Sequence, residues 1–218
     1  MKDLVLSYYS KYRRLLPPDY DVNLPLFWLK SAYYHLFSKN IFAHHSTSIK
    51  GIRNIQTRGR LFLGAAPFAL WGHEGTHLDI SGKLVIEGDV SVGKACHVIV
   101  HKGATCTLKE QCSITGHTNL IIGHRLEIGR ETFIAWGCEF LDHDGHFIQY
   151  EGKIERDRSI IIGDHCWIGS HVQILKGVHV ANNSVIAAGS VLTKSFEEEN
   201  VLIAGNPAKI IRRGVKWH

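Results

Sequence analysis

One aliphatic residue recurs every six positions between Ile162 and Leu192: Ile162, Ile168, Ile174, Val180, Ile186 and Leu192. Four residues after each of the first five stands a small or branched side chain: Cys166, Val172, Val178, Ser184 and Ser190. Helical faces repeat about every 3.6 residues and strand faces about every two, so this beat fits neither a long helix nor a simple alternating strand. It fits a chain that lays down one short strand and one corner per hexad, with the aliphatic side chain turned inward and the small one letting successive turns stack. That is a β-solenoid, in which each coil touches only its neighbours.

The beat is faint at Ile49, Ile55 and Leu61, returns at Ile80, Ile86, Val92 and Val98, blurs at Ala104, Glu110 and Gly116, and sharpens at Ile122, Ile128 and Ile134. Where it blurs, Leu108, Ile114 and Leu120 hold the following inward slots, so the coil is expected to continue. Two stretches break it. Residues 66–79 carry Trp71, His73, Glu74 and His77, and residues 140–159 hold His143 and His146 among Asp142 and Asp144. Long excursions from a repeat array are where function concentrates.

Both ends depart from the repeat. Leu4, Val5, Tyr8, Tyr12, Leu15 and Leu16 form a helical stripe that Pro17 and Pro18 stop. A second helix is expected from near Pro25 to about Lys39, carrying Phe27, Trp28, Leu29, Tyr33, Leu36 and Phe37. These helices have two readings: they cover the open end of the solenoid, or, with Lys11, Arg13, Arg14 and Lys30, they rest peripherally on a membrane surface. At the other end, Asn206 before Pro207 is expected to start a short basic helix that Gly214 stops. The domain plan is therefore a helical segment at 1–40, a solenoid over 41–205 with loops at 66–79 and 140–159, and a C-terminal helix and tail at 206–218.

Composition sets the remaining bounds. A chain of 218 residues with 44% hydrophobic residues supports one domain with a real core and a small appendage. Its 25 Lys and Arg against 20 Asp and Glu give +5, too diffuse to mark a nucleic-acid partner although suited to an anionic cofactor. Among the cysteines, Cys96, Cys138 and Cys166 fall in the small inward slot, a packing role for a reduced thiol, and no disulfide is expected. The N-terminus has no uninterrupted apolar core, and the apolar stretch at 24–37 is broken by Lys30 and His35, so a cytoplasmic location is expected.

The string GDHCWIGSHVQILKGVHVANNSVIAAGSVLTK, from Gly163 to Lys194, resembles the hexapeptide-repeat acyltransferases, specifically the maltose and galactoside O-acetyltransferase type and its polysaccharide branch. The likeness is strong over 158–213 and readable over 80–140. It implies a mainly β chain folded as a left-handed parallel β-helix with three hexads per coil. The hand comes from the resemblance alone, because ordinary parallel crossovers are right-handed. It also implies an acetyl-CoA-dependent O-acetyltransferase acting on a sugar hydroxyl in cell-surface polysaccharide assembly, built as a homotrimer with its sites between subunits.

Carried over residue by residue, the resemblance makes His146, in DGHFI, the general base, with His143 as the second candidate and Asp144 as a carboxylate to orient the ring. An imidazole suits that task because its pKa lies near neutrality. The cofactor is expected against Trp167, Gly169, Ala187 and Ala188, with Lys194, Arg212 and Arg213 meeting its phosphates. Trp71, His73, Glu74 and Trp136 are expected at the acceptor, a small sugar or an oligosaccharide. No cysteine has the accessible, basic setting of a nucleophile, so transfer is expected to be direct. Three alternatives stand: N-acetylation of an amino sugar, a zinc enzyme like the γ-type carbonic anhydrases using His117 and His124, and a non-catalytic scaffold. The spacing of those two histidines and the transferase-like tail argue against zinc, so no metal is expected.

Overall fold

A computed structural model describes residues 24–37, 39–64, 75–146, 149, 151 and 157–218. The hexads become short strands, and successive strands pass from one sheet to the next, building sheets of nine, seven and six strands. Phe133–Ile134, Glu139–Leu141 and Ile160–Ile162 are one such coil, contributing in turn to the nine-, seven- and six-stranded sheets. Pairing between coils is parallel throughout, for instance Phe133 with Trp167 and Trp167 with Val185. The result is a parallel β-helix of triangular section. Its first edge joins the nine- and seven-stranded sheets, its second the seven- and six-stranded, and its third closes the coil.

The inward beat from Ile162 to Leu192, small partners included, is at most 3% exposed. All five cysteines are buried and free. Burial pushes the thiols of Cys96 and Cys112 up to about 12 and those of Cys138 and Cys166 up to about 11. The blurred stretch has a geometric cause. Its coils are longer, since Ser91 pairs with Ser113 and Ser113 with Phe133, and four-residue strands such as His97–Val100 and Thr105–Leu108 each bury two side chains instead of one.

Stacking is locked at the corners. His117, Glu131, His165, His171 and Asn183 take left-handed φ values of 59°, 53°, 52°, 57° and 57°. Each turns its N–H onto the carbonyl of the coil before it: Lys94, Glu110, Arg130, Trp136 and Asp164, at 2.7–3.0 Å. A left-handed non-glycine residue costs roughly 1 kcal/mol or more, and a satisfied hydrogen bond of similar worth offsets it.

Among the described residues no coil lies beyond the first, so its outer carbonyls need other donors. A helix over Leu24–His35 brings them. Lys30 Nζ donates to the His45 carbonyl at 2.8 Å and to that of Thr47, and Lys39 Nζ to that of Ile55 at 2.6 Å. Burial lowers the Lys30 pKa. Phe27 and Trp28 of the helix pack on Phe42 and Phe62, whose rings stack at 5.2 Å, and Tyr34 enters the main core. The described helix thus caps the open end. The helix expected at 3–16 lies outside the described residues, and no described helix is long and apolar enough to cross a membrane.

The expected C-terminal helix is not formed. Val201–Gly205 and Ala208–Arg213 are strands of an antiparallel hairpin turning at Asn206 and Pro207, whose peptide bond is cis. Asn-Pro reads locally as a helix start. However, Leu202 and Ile203 pair with the open edge at Val185 and Ile186, and β-branched Ile210 and Ile211 suit the return strand better than a helix.

Candidate active site

The long loop leaves the prism at its second edge, immediately after Leu141. Asp142, 0% exposed, staples it there. Its Oδ1 accepts the Gly123 N–H at 2.6 Å, and its Oδ2 accepts those of His124 at 2.7 Å and Arg125 at 2.8 Å. Three backbone donors from the preceding corner, left without strand partners where the chain turns, converge on one carboxylate. The loop's first residue is therefore held in place before any histidine is reached.

His143 follows. Pairing of Val100 with Ile122, and of Ile121 with Leu141, stacks His101, Gly123 and His143 along the same edge. Because Gly123 has no side chain, the two rings meet across it, edge to face, with centroids 5.1 Å apart. A Cβ at Gly123 would stand 2.8 Å from His143 Cδ2. The His143 Nδ1 accepts the Gly145 N–H at 3.1 Å, which leaves the proton of the neutral ring on Nε2. That Nε2 is buried and has no partner among the described residues. His146 is exposed. Asp144 does not orient a ring: it pairs with Lys176 from the next coil, whose hydrogen bond holds the Asp144 carboxyl below its ordinary range.

The expected cofactor residues divide between two edges. Lys194 lies on the second edge beyond Lys176, as the pairings Leu141–Leu175 and Ile174–Leu192 dictate. With Ser195, Phe196, Glu197, Glu198, Lys209 and Ile210 it lines an open cleft of about 540 Å³. Arg213 is paired with Glu198 at 2.8 Å, and Arg212 is exposed on the same return strand. Trp136, Gly169, Ala187 and Ala188 lie at the first edge instead. A Cβ on Gly169 would come within 2.6 Å of the Ala188 nitrogen, so its smallness already serves coil stacking. Trp167 projects from the nine-stranded sheet, 42% exposed, with the Trp217 ring 6.2 Å away. Trp71, His73 and Glu74 lie outside the described residues. His117 stands at the first edge and His124 at the second, so one chain does not bring them together.

Sequence reasoning named Asp142 only as an acidic neighbour of the loop histidines and passed over Gly123 and His101. The signal for Asp142 was a carboxylate at the exact step where the beat stops, flanked by inward Phe140.

Several known proteins share this architecture. Residues 159–194 match the family model for the bacterial transferase hexapeptide (six repeats). A 24.8 kDa protein in the cps region of Klebsiella pneumoniae is 32% identical over 185 residues, 84% of this chain and 83% of that one. The polySia specific acetyltransferase NeuO superposes with a TM-score of 0.55 at 26% identity, over 79% of this chain and 89% of its own. The polysialic acid O-acetyltransferase OatWY gives 0.58 at 24% identity, over 82% and 90%, a likeness of fold. With the six-residue beat closed into a three-sided parallel prism and a histidine loop stapled to one edge, this chain belongs to the hexapeptide-repeat acetyltransferases.

Proposed function

We propose that the protein is a cytoplasmic O-acetyltransferase that moves an acetyl group from acetyl-CoA to a sugar hydroxyl of a surface polysaccharide or its precursor, with His143 as the general base. The observation that carries this reading is the Asp142 staple, which fixes the backbone at the one residue preceding His143. The sequence pattern favoured His146, but a base must hold its geometry to about an ångström. His143 has a wall at Gly123 and a ring neighbour in His101, whereas His146 is exposed. The likeness to a polySia specific acetyltransferase supports a sugar acceptor.

The residues of the second edge suit the cofactor. Lys194 and Lys209 offer cations to phosphates, and Phe196 and Ile210 offer an apolar wall. Acetyl-CoA, when bound, supplies the acetyl thioester. His143 Nδ1 carries the lone pair of the neutral ring, and an acceptor hydroxyl that displaces the Gly145 N–H gives its proton to that nitrogen as its oxygen attacks the thioester carbon; the carbon–sulfur bond breaks and the coenzyme A thiolate leaves, taking the proton from the imidazolium. Buried thiols of raised pKa leave no cysteine nucleophile, in keeping with direct transfer.

A site that also uses Trp136, Gly169, Ala187 and Ala188 requires a second copy, since those residues occupy a different edge from His143. Three copies in a ring supply every histidine loop with a neighbour's first edge. A fully active monomer in light scattering refutes that assembly. The test of function is acetyl transfer, corrected for thioester hydrolysis, across nucleotide sugars and oligosaccharides. His143→Ala is expected to cut turnover at least about a hundredfold with acetyl-CoA affinity nearly unchanged, and His146→Ala to do much less. The reverse order returns the role to His146.

A further inference from the structure

The outward face of the seven-stranded sheet carries a column of side chains unrelated to the histidine loop: Ser48, His77, His97 and Asn119, each the register partner of the next. His77 and His97 are both exposed. Their rings are tilted by 31° with centroids 5.4 Å apart. His77 Nδ1 lies 2.6 Å from Ser48 Oγ, on the strand to one side of the pair. His97 Nδ1 lies 3.1 Å from Asn119 Oδ1, on the strand to the other side.

Those two contacts constrain what the facing edges present. In an imidazole, Nδ1 and Nε2 lie on opposite sides of the line from Cγ through the ring centre. With each Nδ1 turned away from the other ring, both Nε2 atoms turn toward the gap between them. The Asn119 carbonyl oxygen only accepts, so His97 holds its proton on Nδ1 and its lone pair on Nε2. The Ser48 hydroxyl both donates and accepts, and a cation at Nε2 selects the His77 tautomer in which Nδ1–H donates to it. An outer partner that takes the Nδ1 proton and frees Nε2 for a cation is the arrangement found around metal-bound histidines.

We propose that His77 and His97 form a two-imidazole site for a divalent transition metal of the copper, nickel and zinc class, clipping together two successive coils. Two nitrogen-to-metal bonds of about 2.0–2.1 Å need nitrogens no more than about 4.2 Å apart, a separation that two exposed rings centred 5.4 Å apart reach by turning about their side-chain bonds. Imidazole pairs select this class of ion over magnesium or calcium, and copper binds most tightly. Among the described residues no third His, Cys, Asp or Glu joins them. The nearby Asp79 carboxylate is committed to Lys50 at 2.8 Å.

The test uses the full chain, with Cu²⁺ and Zn²⁺ measured separately by equilibrium dialysis and bound Cu²⁺ examined by electron paramagnetic resonance. Wild type is expected to bind one more Cu²⁺ per chain than His77→Gln or His97→Gln, with a two-nitrogen signature that both variants lose. Zn²⁺ at that site is expected to weaken at least about tenfold in either variant. His218→Gln, an exposed substitution with no place in either site, should retain the full stoichiometry. Both ring positions are on the surface, so unchanged circular dichroism checks that the variants fold. Equal metal stoichiometry and affinity in wild type and both variants, or a wild type that binds no ion with a two-nitrogen signature, overturns the assignment.

Discussion

Replacing Asp142 by Asn probes whether the loop's anchor is also the anchor of the chemistry. The carboxylate now serves three N–H donors, one through Oδ1 and two through Oδ2. An asparagine keeps a single oxygen. Turned to serve His124 and Arg125, its amide meets the Gly123 N–H donor to donor; turned the other way, it strands two donors. A stranded buried donor costs about 1–3 kcal/mol, and the bonds that survive lose the charge that made them roughly twice as strong as neutral ones. Relief of a buried charge returns part of this. The net expectation is a loss of about 2–4 kcal/mol, read as a fall of about 1–2 M in the urea midpoint. The folded state survives, because domains hold about 5–15 kcal/mol. Turnover is expected to fall about a hundredfold, the penalty for roughly an ångström of misplacement at His143. Steady-state kinetics and urea unfolding on the same preparations check both. A variant that unfolds earlier yet turns over like wild type would show that the staple supports the fold and not the histidine.

Gly123→Ala separates position from stability in the opposite direction: its Cβ would crowd the His143 ring at 2.8 Å, so turnover should drop at least about tenfold while the urea midpoint barely moves. Lys194→Ala should weaken coenzyme A more than its 3′-dephospho analogue if that lysine meets the 3′-phosphate, and equal losses by calorimetry would remove it from the site. The five thiols should resist Ellman's reagent in the native protein and all react on unfolding. Because folding raises the pKa of Cys96, Cys112, Cys138 and Cys166 to about 11–12, their contribution to stability is complete below the unfolded pKa and is lost as pH climbs through the folded values, so the urea midpoint should fall between about pH 9 and 12.

The solenoid was legible because its inward positions repeat with a chemistry that only stacking explains, as Ile162 through Leu192 bear out. Where coils lengthen, two inward residues per strand replace one, and a fixed beat of six loses count at Ala104 and Glu110. The tail was misread because Asn206 and Pro207 carry a strong local helix signal, and only the open strand edge at Val185, invisible in a linear string, decides otherwise. The histidine loop was legible as an interruption. The proposal of His143 over His146 rests on Gly123, His101 and Asp142, which converge on it through pairings 20 residues or more apart.

A coil that carries the loop spans Phe133 to Trp167, whereas the next spans only Trp167 to Val185. Closing a flexible chain grows harder only with the logarithm of its length, so nearly doubling the distance between paired strands adds about 0.6 kcal/mol of closure entropy. The neighbouring coils are already joined on all three sides and need no help from the insert to find their register. A prism edge can thus take on a long, chemically specialised segment at almost no penalty to assembly, and the Asp142 carboxylate alone is strong enough to repay it several times over. New specificities in such a fold can therefore arise by lengthening one corner while the strands beneath it keep their order.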